Sequence, residues 1–282
     1  MEHHLIALDL DGTLLNPQKE ISPATLHALR TLQKNGHAIT LCTGRIWPDA
    51  ALLIRRIGGP VMAIIANGSV VRDTEGKELQ LHPLSDDMLG EILRISRRYG
   101  MCPCLYTPST EYYGEDLALF LQLAEQRGMA RLVNPDKRQV YLSGYPDVVR
   151  VMGQRAGRLV KAIFYTRDRD VCQQLQAELR DCGMFETYLS SNFEETYFDI
   201  EVNMKGVSKG KSLAALAQRL GIPQQYVVAF GDGSNDIEML EYAGTGVAMG
   251  SASDEVKSHA NMVTLDCGHD GIAVALKQLN LI

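Results

Sequence analysis

The chain has no apolar run approaching the roughly 18 residues that a membrane-spanning helix needs. Its N-terminus lacks the basic region and long apolar stretch of an export signal, because Asp9 and Asp11 fall where that stretch belongs. Cysteine is sparse, with six in 282 residues, and only Cys102-Pro-Cys104 is close-spaced. Without a second such pair there is no four-cysteine zinc site, and reduced, packed thiols in a cytoplasmic protein are expected. An excess of positive charge is also missing: 28 Lys and Arg face 34 Asp and Glu, a net charge of −6. Neither nucleic acid nor an anionic membrane is therefore expected as a partner. There is no internal repeat or low-complexity tract, and no obligate protein partner is evident. Gly206-Val207-Ser208-Lys209-Gly210-Lys211-Ser212 is one residue short of a P-loop, and Gly244-Thr245-Gly246 lacks the third glycine of a dinucleotide fold.

What is there is an ordinary globular composition, 45% hydrophobic and 22% charged. At about 150 residues per domain the length suggests one or two domains. Short apolar runs alternate with helical patterns from the start: strand Leu5–Leu8, a helix capped by Ser22-Pro23, strand His37–Cys42, helix Ile46–Ile57, strand Val61–Ala66. That alternation predicts an α/β fold, a Rossmann-like parallel sheet with helices on both faces. A hairpin over Val70–Leu81 breaks it, and the following segment reads as an inserted α+β module with an antiparallel sheet. Within that module Pro108, Tyr112 and Tyr113 are read as a loop. From Tyr197 the alternation returns, with strand Tyr197–Val202, helix Ser208–Leu220, strand Val227–Phe230, helix Asn235–Tyr242, strand Gly246–Met249 and helix Gly271–Leu279. The expected division is a discontinuous core of residues 1–82 and 190–282 with an insertion of residues 83–189.

Chemistry-bearing residues cluster at predicted strand and helix ends. Asp9-Leu10-Asp11-Gly12-Thr13 leaves the first strand, where open parallel sheets bind ligands. Two carboxylates so close call for a cation or a retained proton. A hard cation shared between carboxylates, water and substrate phosphate is the usual magnesium arrangement. Thr43-Gly44-Arg45 ends the second strand and offers a hydroxyl and backbone N–H groups at a helix start. Ser208-Lys209-Gly210 starts another helix with an ammonium, and Gly231-Asp232-Gly233-Ser234-Asn235-Asp236 follows an apolar strand with two further acids. Taken singly, each segment has a plainer reading. Thr43 and Ser208 serve as helix caps, Lys209 as a solvated charge, Asp236 as a first-turn acid.

Taken together and in order, DLDGT, TGR, KG and GDGSND resemble the haloacid dehalogenase superfamily of aspartate-dependent phosphatases. The insertion, with Asn67-Gly68 and Gly206–Gly210, resembles the Cof-type branch with its C2B cap. The resemblance implies a phosphatase of small phosphorylated metabolites using Mg2+. It implies Asp9 as nucleophile forming an aspartyl-phosphate, and Asp11 as general acid and then base. It implies that Leu10, Thr43, Gly44, Lys209 and Asn235 hold the phosphate, and that Asp9, Asp11 (through its carbonyl) and Asp232 hold the metal. Asp236, Arg45 and Asn67 are expected to support this set, and the cap is expected to choose the leaving group. A phosphohexomutase-type isomerase is the main alternative, since such enzymes share the cap and need extra basic residues there. Arg127, Arg131, Lys137, Arg138, Arg155, Arg158 and Lys161 are available, with surface charge as the plainer explanation. A non-catalytic phosphate sensor on the same scaffold is the other alternative.

Overall fold

The computed structural model describes residues 3–129, 134–192 and 196–282. The chain runs β1 (Leu5–Leu8), α1 (Pro23–Lys34), β2 (Ala38–Cys42), α2 (Trp47–Ile57), β3 (Met62–Ile65), β4 (Val70–Arg72) and β5 (Glu78–Leu81). It continues as α3 (Asp86–Tyr99), β6 (Cys104–Tyr106), β7 (Thr110–Tyr113), α4 (Glu115–Gln126), β8 (Arg138–Tyr141), α5 (Tyr145–Arg155), β9 (Lys161–Thr166), α6 (Arg169–Asp181), β10 (Phe185–Asn192) and β11 (Tyr197–Met204). The last stretch is α7 (Lys209–Leu220), β12 (Val227–Gly231), α8 (Ile237–Tyr242), β13 (Thr245–Ala248), α9 (Asp254–Ser258), β14 (Met262–Val263) and α10 (Gly271–Gln278). Among the described residues these elements form two compact units, one of residues 3–80, 134 and 208–282, the other of residues 81–129, 135–192 and 196–207.

The first unit is built on a sheet ordered β14-β13-β12-β1-β2-β3-β4-β5. Its central strands pair in parallel, and the β3–β4 step turns antiparallel. Parallel strands are covered on both faces, so β1 (Leu-Ile-Ala-Leu) and β3 (Met-Ala-Ile-Ile) are apolar throughout and buried at every position. Leu5, Ala7 and Ile64 pack with Leu213 and Leu216 of α7 and Met239 of α8. The alternate residues point the other way, where α1, α2 and α10 adjoin one another. Capping fixes where the helices begin. Ser22 accepts from the Thr25 N–H ahead of Pro23, and Ser208 accepts from the Lys211 N–H. Both expected positions are therefore found.

The second unit holds a sheet ordered β10-β11-β9-β6-β7-β8. One face is apolar: Leu105, Tyr112, Ala162, Phe164, Phe198 and Ile200 pack against α3, α5 and α6. Two details depart from the expected antiparallel module. The β7–β8 pair is parallel, and Tyr112 and Tyr113 are strand residues in β7 rather than loop. The largest departure is β11, Tyr197–Met204, whose residues Tyr197–Val202 were expected as a core strand. It pairs antiparallel with β10 from Phe185↔Met204 to Asn192↔Tyr197, and with β9 on its other side. The second unit therefore extends to Val207 rather than ending at residue 189. Alternation identifies a strand but says nothing about which sheet receives it. No described helix is long and apolar enough to cross a membrane. All six cysteines are free, with Cys42, Cys104 and Cys172 buried.

Candidate active site

The carboxyl ends of β1, β2, β3 and β12 and the start of α7 bring most of the chemistry-bearing residues together. Asp9 follows β1 directly, 6% exposed, and its N–H donates to the Phe230 carbonyl of β12 at 3.0 Å. Lys209, the first residue of α7, is only 1% exposed. Its ammonium donates to Asp9 Oδ1 at 2.7 Å and to Asp236 Oδ1 at 2.6 Å. Burial by itself would strip that proton, but the two carboxylates outweigh burial and hold Lys209 charged well above the ordinary lysine range. The lysine is set in place by a close helix approach: a Cβ on Gly210 would lie 2.6 Å from the Glu238 backbone, and the Ser208 hydroxyl donates to the Glu238 carboxylate.

Asp232 and Asp236 come from the turn after β12. Asp236 folds back, its Oδ2 accepting the N–H groups of Asp232 at 3.0 Å and Gly233 at 2.9 Å. This is why the expected helix over Asn235–Tyr242 begins instead with a 3-10 turn, Ser234–Asp236, before α8. Asp232 accepts from the Thr13 hydroxyl at 2.9 Å. Gly12 makes room for it: at φ +83° a Cβ there would lie 2.2 Å from the Asp232 carboxylate.

Oxygen atoms of Asp9, Asp232 and Asp236 lie within 4.8 Å of one another. Burial first, then the neighbouring carboxylates, pushes Asp232 up to about 6 and Asp9 well above its usual range, against the pull of Lys209. One ammonium against three carboxylates leaves negative charge uncompensated. An all-oxygen donor set with unbalanced charge fits a hard divalent cation such as Mg2+.

The Asp11 carboxylate stands outside that cluster. Arg45 clamps it with Nε at 2.6 Å and Nη2 at 2.8 Å, and Lys19 Nζ reaches Oδ1 at 2.8 Å. Burial opposes ionisation, but these two cations prevail and hold Asp11 below the usual carboxylate range. Lys19 was not foreseen from sequence. It sits at φ 60° in a turn tied together by Asn16 Oδ1, which accepts from the Gln18 and Glu20 N–H groups. An exposed-looking lysine in a polar loop carries no signal of such a contact.

The remaining expected residues line up along β2 and β3. Thr43 is buried, and its hydroxyl accepts from the Arg45 N–H at 3.1 Å, leaving its own proton available to donate. Helix α2 begins at Trp47 with Ile46 as cap, one residue from the expected start, and Thr43 and Gly44 lie in the turn ahead of it. Asn67 donates its N–H to the Thr43 carbonyl at 3.0 Å and accepts from the Asn235 side chain at 3.1 Å. Ala66 and Asn67 both adopt positive φ, 50° and 55°, a conformation that is costly for alanine and is kept here beside the site. The Leu10 N–H makes no hydrogen bond to another described residue, although its carbonyl accepts from Leu15 N.

A strand-end carboxylate, a buried lysine and an acid cluster meet at the end of an α/β sheet, a centre suited to a hydrolase. The haloacid dehalogenase-like hydrolase family matches residues 6–276, and the chain belongs to it. It is an enzyme, a phosphoric monoester hydrolase. It is 30% identical to the 5-amino-6-(5-phospho-D-ribitylamino)uracil phosphatase YitU of Bacillus subtilis, over 98% of this chain and 97% of that one. It is equally 30% identical to the pyridoxal phosphate phosphatase YbhA of Escherichia coli, over 97% of each chain. A solved haloacid dehalogenase-like hydrolase from B. subtilis superposes with a TM-score of 0.82 at 27% identity, covering 98% of this chain and 99% of its own.

Proposed function

We propose that the protein is a magnesium-dependent phosphatase of small phosphorylated metabolites, working through an aspartyl-phosphate on Asp9. The observation that carries this reading is the Asp9 carboxylate, buried at the end of β1 and touched by the Lys209 ammonium at 2.7 Å. One Asp9 oxygen attacks phosphorus as the ester oxygen departs; water then attacks the acyl phosphate and releases inorganic phosphate, restoring the carboxylate. The Leu10 N–H, the Thr43 hydroxyl, the Gly44 N–H, Lys209 and Asn235 are the donors assigned to the phosphoryl oxygens. Asp9, the Asp11 carbonyl and Asp232 are assigned to Mg2+, which when bound supplies positive charge to the phosphoryl group. Asp236 orients Lys209 and the Asp232 turn, Asn67 steadies Thr43 and Asn235, and Arg45 governs Asp11.

Asp11 is assigned the proton transfers. Clamped by Arg45 and Lys19 it is a carboxylate, the form needed to take a proton from water in the second step. Donating a proton to the leaving oxygen requires its release from those cations. Selectivity is assigned to the second unit, because the donors named above address only the phosphoryl group. Relatives named for a pyridoxal phosphate and for a ribitylaminouracil phosphate support small organic phosphates as the substrate class.

The test is acid-quenched mass spectrometry of the enzyme during turnover of a metabolite panel with Mg2+. Phosphate on the peptide containing Asp9, absent in Asp9→Asn, is the expected result. Turnover without any acid-stable, hydroxylamine-sensitive phosphate on that peptide would refute the intermediate.

A further inference from the structure

Asp49 is a buried acid that the catalytic assignment does not use. It lies in the first turn of α2, where an acid ordinarily stays in solvent and gains about 0.3–1 kcal/mol from the helix dipole. Here the residue is only 1% exposed, and burying a carboxylate costs several kcal/mol, so the dipole alone does not account for its place. Arg45, four residues earlier, is an ion-pair partner. Arg45 Nη1 stands 3.6 Å from Asp49 Oδ2, while Nε and Nη2 grip Asp11 at 2.6 and 2.8 Å. Asp49 Oδ1 accepts at 3.2 Å from the side-chain amide of Asn134, also in the first unit, which leaves Oδ2 to the guanidinium. Burial opposes the Arg45 charge, and the two carboxylates, Asp11 ahead of Asp49, overcome it. The guanidinium is thus closed on one carboxylate and open to another. Such a pair normally closes at about 2.8 Å, so a shift of about 1 Å completes the Asp49 contact.

We propose that Asp49 is a positioning residue that takes the Arg45 guanidinium while Asp11 carries the proton for the leaving group. The proposal rests on the aspartyl-phosphate reading above, in which one carboxyl group serves both steps. In the first step the bond from Asp9 to phosphorus forms and the phosphorus–ester bond breaks. The electron pair left on the ester oxygen takes the Asp11 proton. In the second step Asp11, as a carboxylate, takes a proton from the attacking water, which restores the one it gave. A cation against Asp11 favours the carboxylate and opposes the protonated form. Arg45 is therefore needed close for one step and away for the other. Its side chain is only 24% exposed, so leaving it unpaired is costly, and a second carboxylate is the better destination. Lys19, the other cation on Asp11, makes one contact and is 26% exposed, so water can replace it there. An Asp49 that merely balanced Arg45 would support both steps and every leaving group alike.

The experiment compares kcat/KM of the full-length enzyme with Mg2+ on two esters. Glycerol 2-phosphate has an alkoxide that needs a proton; 4-nitrophenyl phosphate has a phenolate that departs without one. For both, kcat/KM reports the phosphorylating step, and the ratio of the two on one preparation does not depend on how much of it is folded. Asp49→Asn keeps the shape but offers no charge to Arg45, so Arg45 stays on Asp11. The alkyl-to-aryl ratio is expected to fall about tenfold, part of what general acid catalysis supplies, with the aryl ester within about twofold of the parent. Asp49→Ser, neutral and smaller, should lower the ratio equally. In Arg45→Gln there is no guanidinium to move, so adding Asp49→Asn should leave the ratio unchanged, the non-additivity of residues that act as one unit. An unchanged ratio in both neutral variants, an equal loss on both esters, or a further fall in the Arg45→Gln background would overturn the proposal while Asp9-dependent hydrolysis stands. Absence of Asp9-dependent hydrolysis in the wild type would overturn the reading of the site, and the proposal with it.

Discussion

Both units bury ionised side chains, and they balance them differently. In the first, Lys209 alone faces Asp9 and Asp236, with Asp232 close by. In the second, Lys161, only 3% exposed, pairs with Glu201 at 3.0 Å and lies over the Tyr106 ring at 4.9 Å. Glu111 there is saturated by Lys137 at 3.2 Å, the Gln139 amide at 2.5 Å and the Tyr106 hydroxyl at 2.8 Å. Matched buried pairs stabilise a packed polar face; an unmatched excess of one sign asks for a further charged species. The first arrangement suits chemistry and the second suits architecture. Lys161 and Lys137, two of the basic residues that kept an isomerase in view, therefore have structural partners already, while Arg131 lies outside the described residues.

The largest expected effect tests the unmatched side. Asp9→Asn removes the proposed nucleophile but keeps the shape, so kcat should fall by about 10⁴-fold or more, ~5 kcal/mol of barrier. Because one carboxylate of an over-negative cluster also disappears, melting temperature in chelator should hold or rise. Turnover above about a hundredth of wild type would remove Asp9 from the chemistry.

The matched side should respond in stability. Lys161→Met takes the buried cation away from half-buried Glu201, and urea unfolding should show a loss of about 1–3 kcal/mol. The double variant Lys161→Met with Glu201→Leu removes both charges and should recover most of it. If the double variant is as unstable as the single one, the pair is not what the lysine contributes, and the contrast between the units fails.

Much of this was legible beforehand. Strand β1, the Ser22 and Ser208 caps and the end positions of Asp9, Lys209 and Asp232 follow from local pattern, since a buried parallel strand and a capped helix are written in a few adjacent residues. What was not legible depends on partners far along the chain. Nothing local says that Tyr197–Met204 joins β9 and β10, because alternation is the same in either sheet. Nothing local says that Lys19 reaches Asp11, or that Thr13 rather than a neighbour holds Asp232. The short elements α9 and β14 escaped too, being five and two residues long, too brief for a period to register.

A smaller effect reads the excess charge through pH. Asp232 is raised from 3.8 to about 6, so between those values the folded protein binds more protons than the unfolded chain. Stability of the metal-free protein should therefore be greatest below about pH 4 with respect to this group, and fall by about 2–3 kcal/mol as pH rises to 6. Asp9, raised for the same reasons, adds to the fall. In Asp232→Asn the slope over that window should flatten, and Mg2+ should shrink it in the wild type by offsetting the repulsion. Equal slopes in chelator for wild type and Asp232→Asn would show that the cluster is not strained by like charge. Activity should also be lost in chelator and return with Mg2+.

The smallest effect concerns Asp11, an acid of the first unit that two cations hold. Arg45 and Lys19 hold it ionised, so the wild type should keep its base for acyl-phosphate hydrolysis well into acid. Arg45→Gln removes the bidentate clamp and lets the Asp11 pKa rise, by about one unit when a single neighbouring cation is lost. The acid limb of the kcat profile should move up in pH by that amount, with the loss confined to acid below the limb and little change at pH 7. The same release makes a proton available on Asp11, so alkyl phosphates, whose alkoxide needs one, should lose less than aryl phosphates over the range where the limb has moved. Lys19→Gln should shift the limb in the same direction but less, since it contributes a single contact. A limb that stays in place in both variants would mean that Asp11 does not set the pH dependence, and that the clamp orders the loop without tuning the acid.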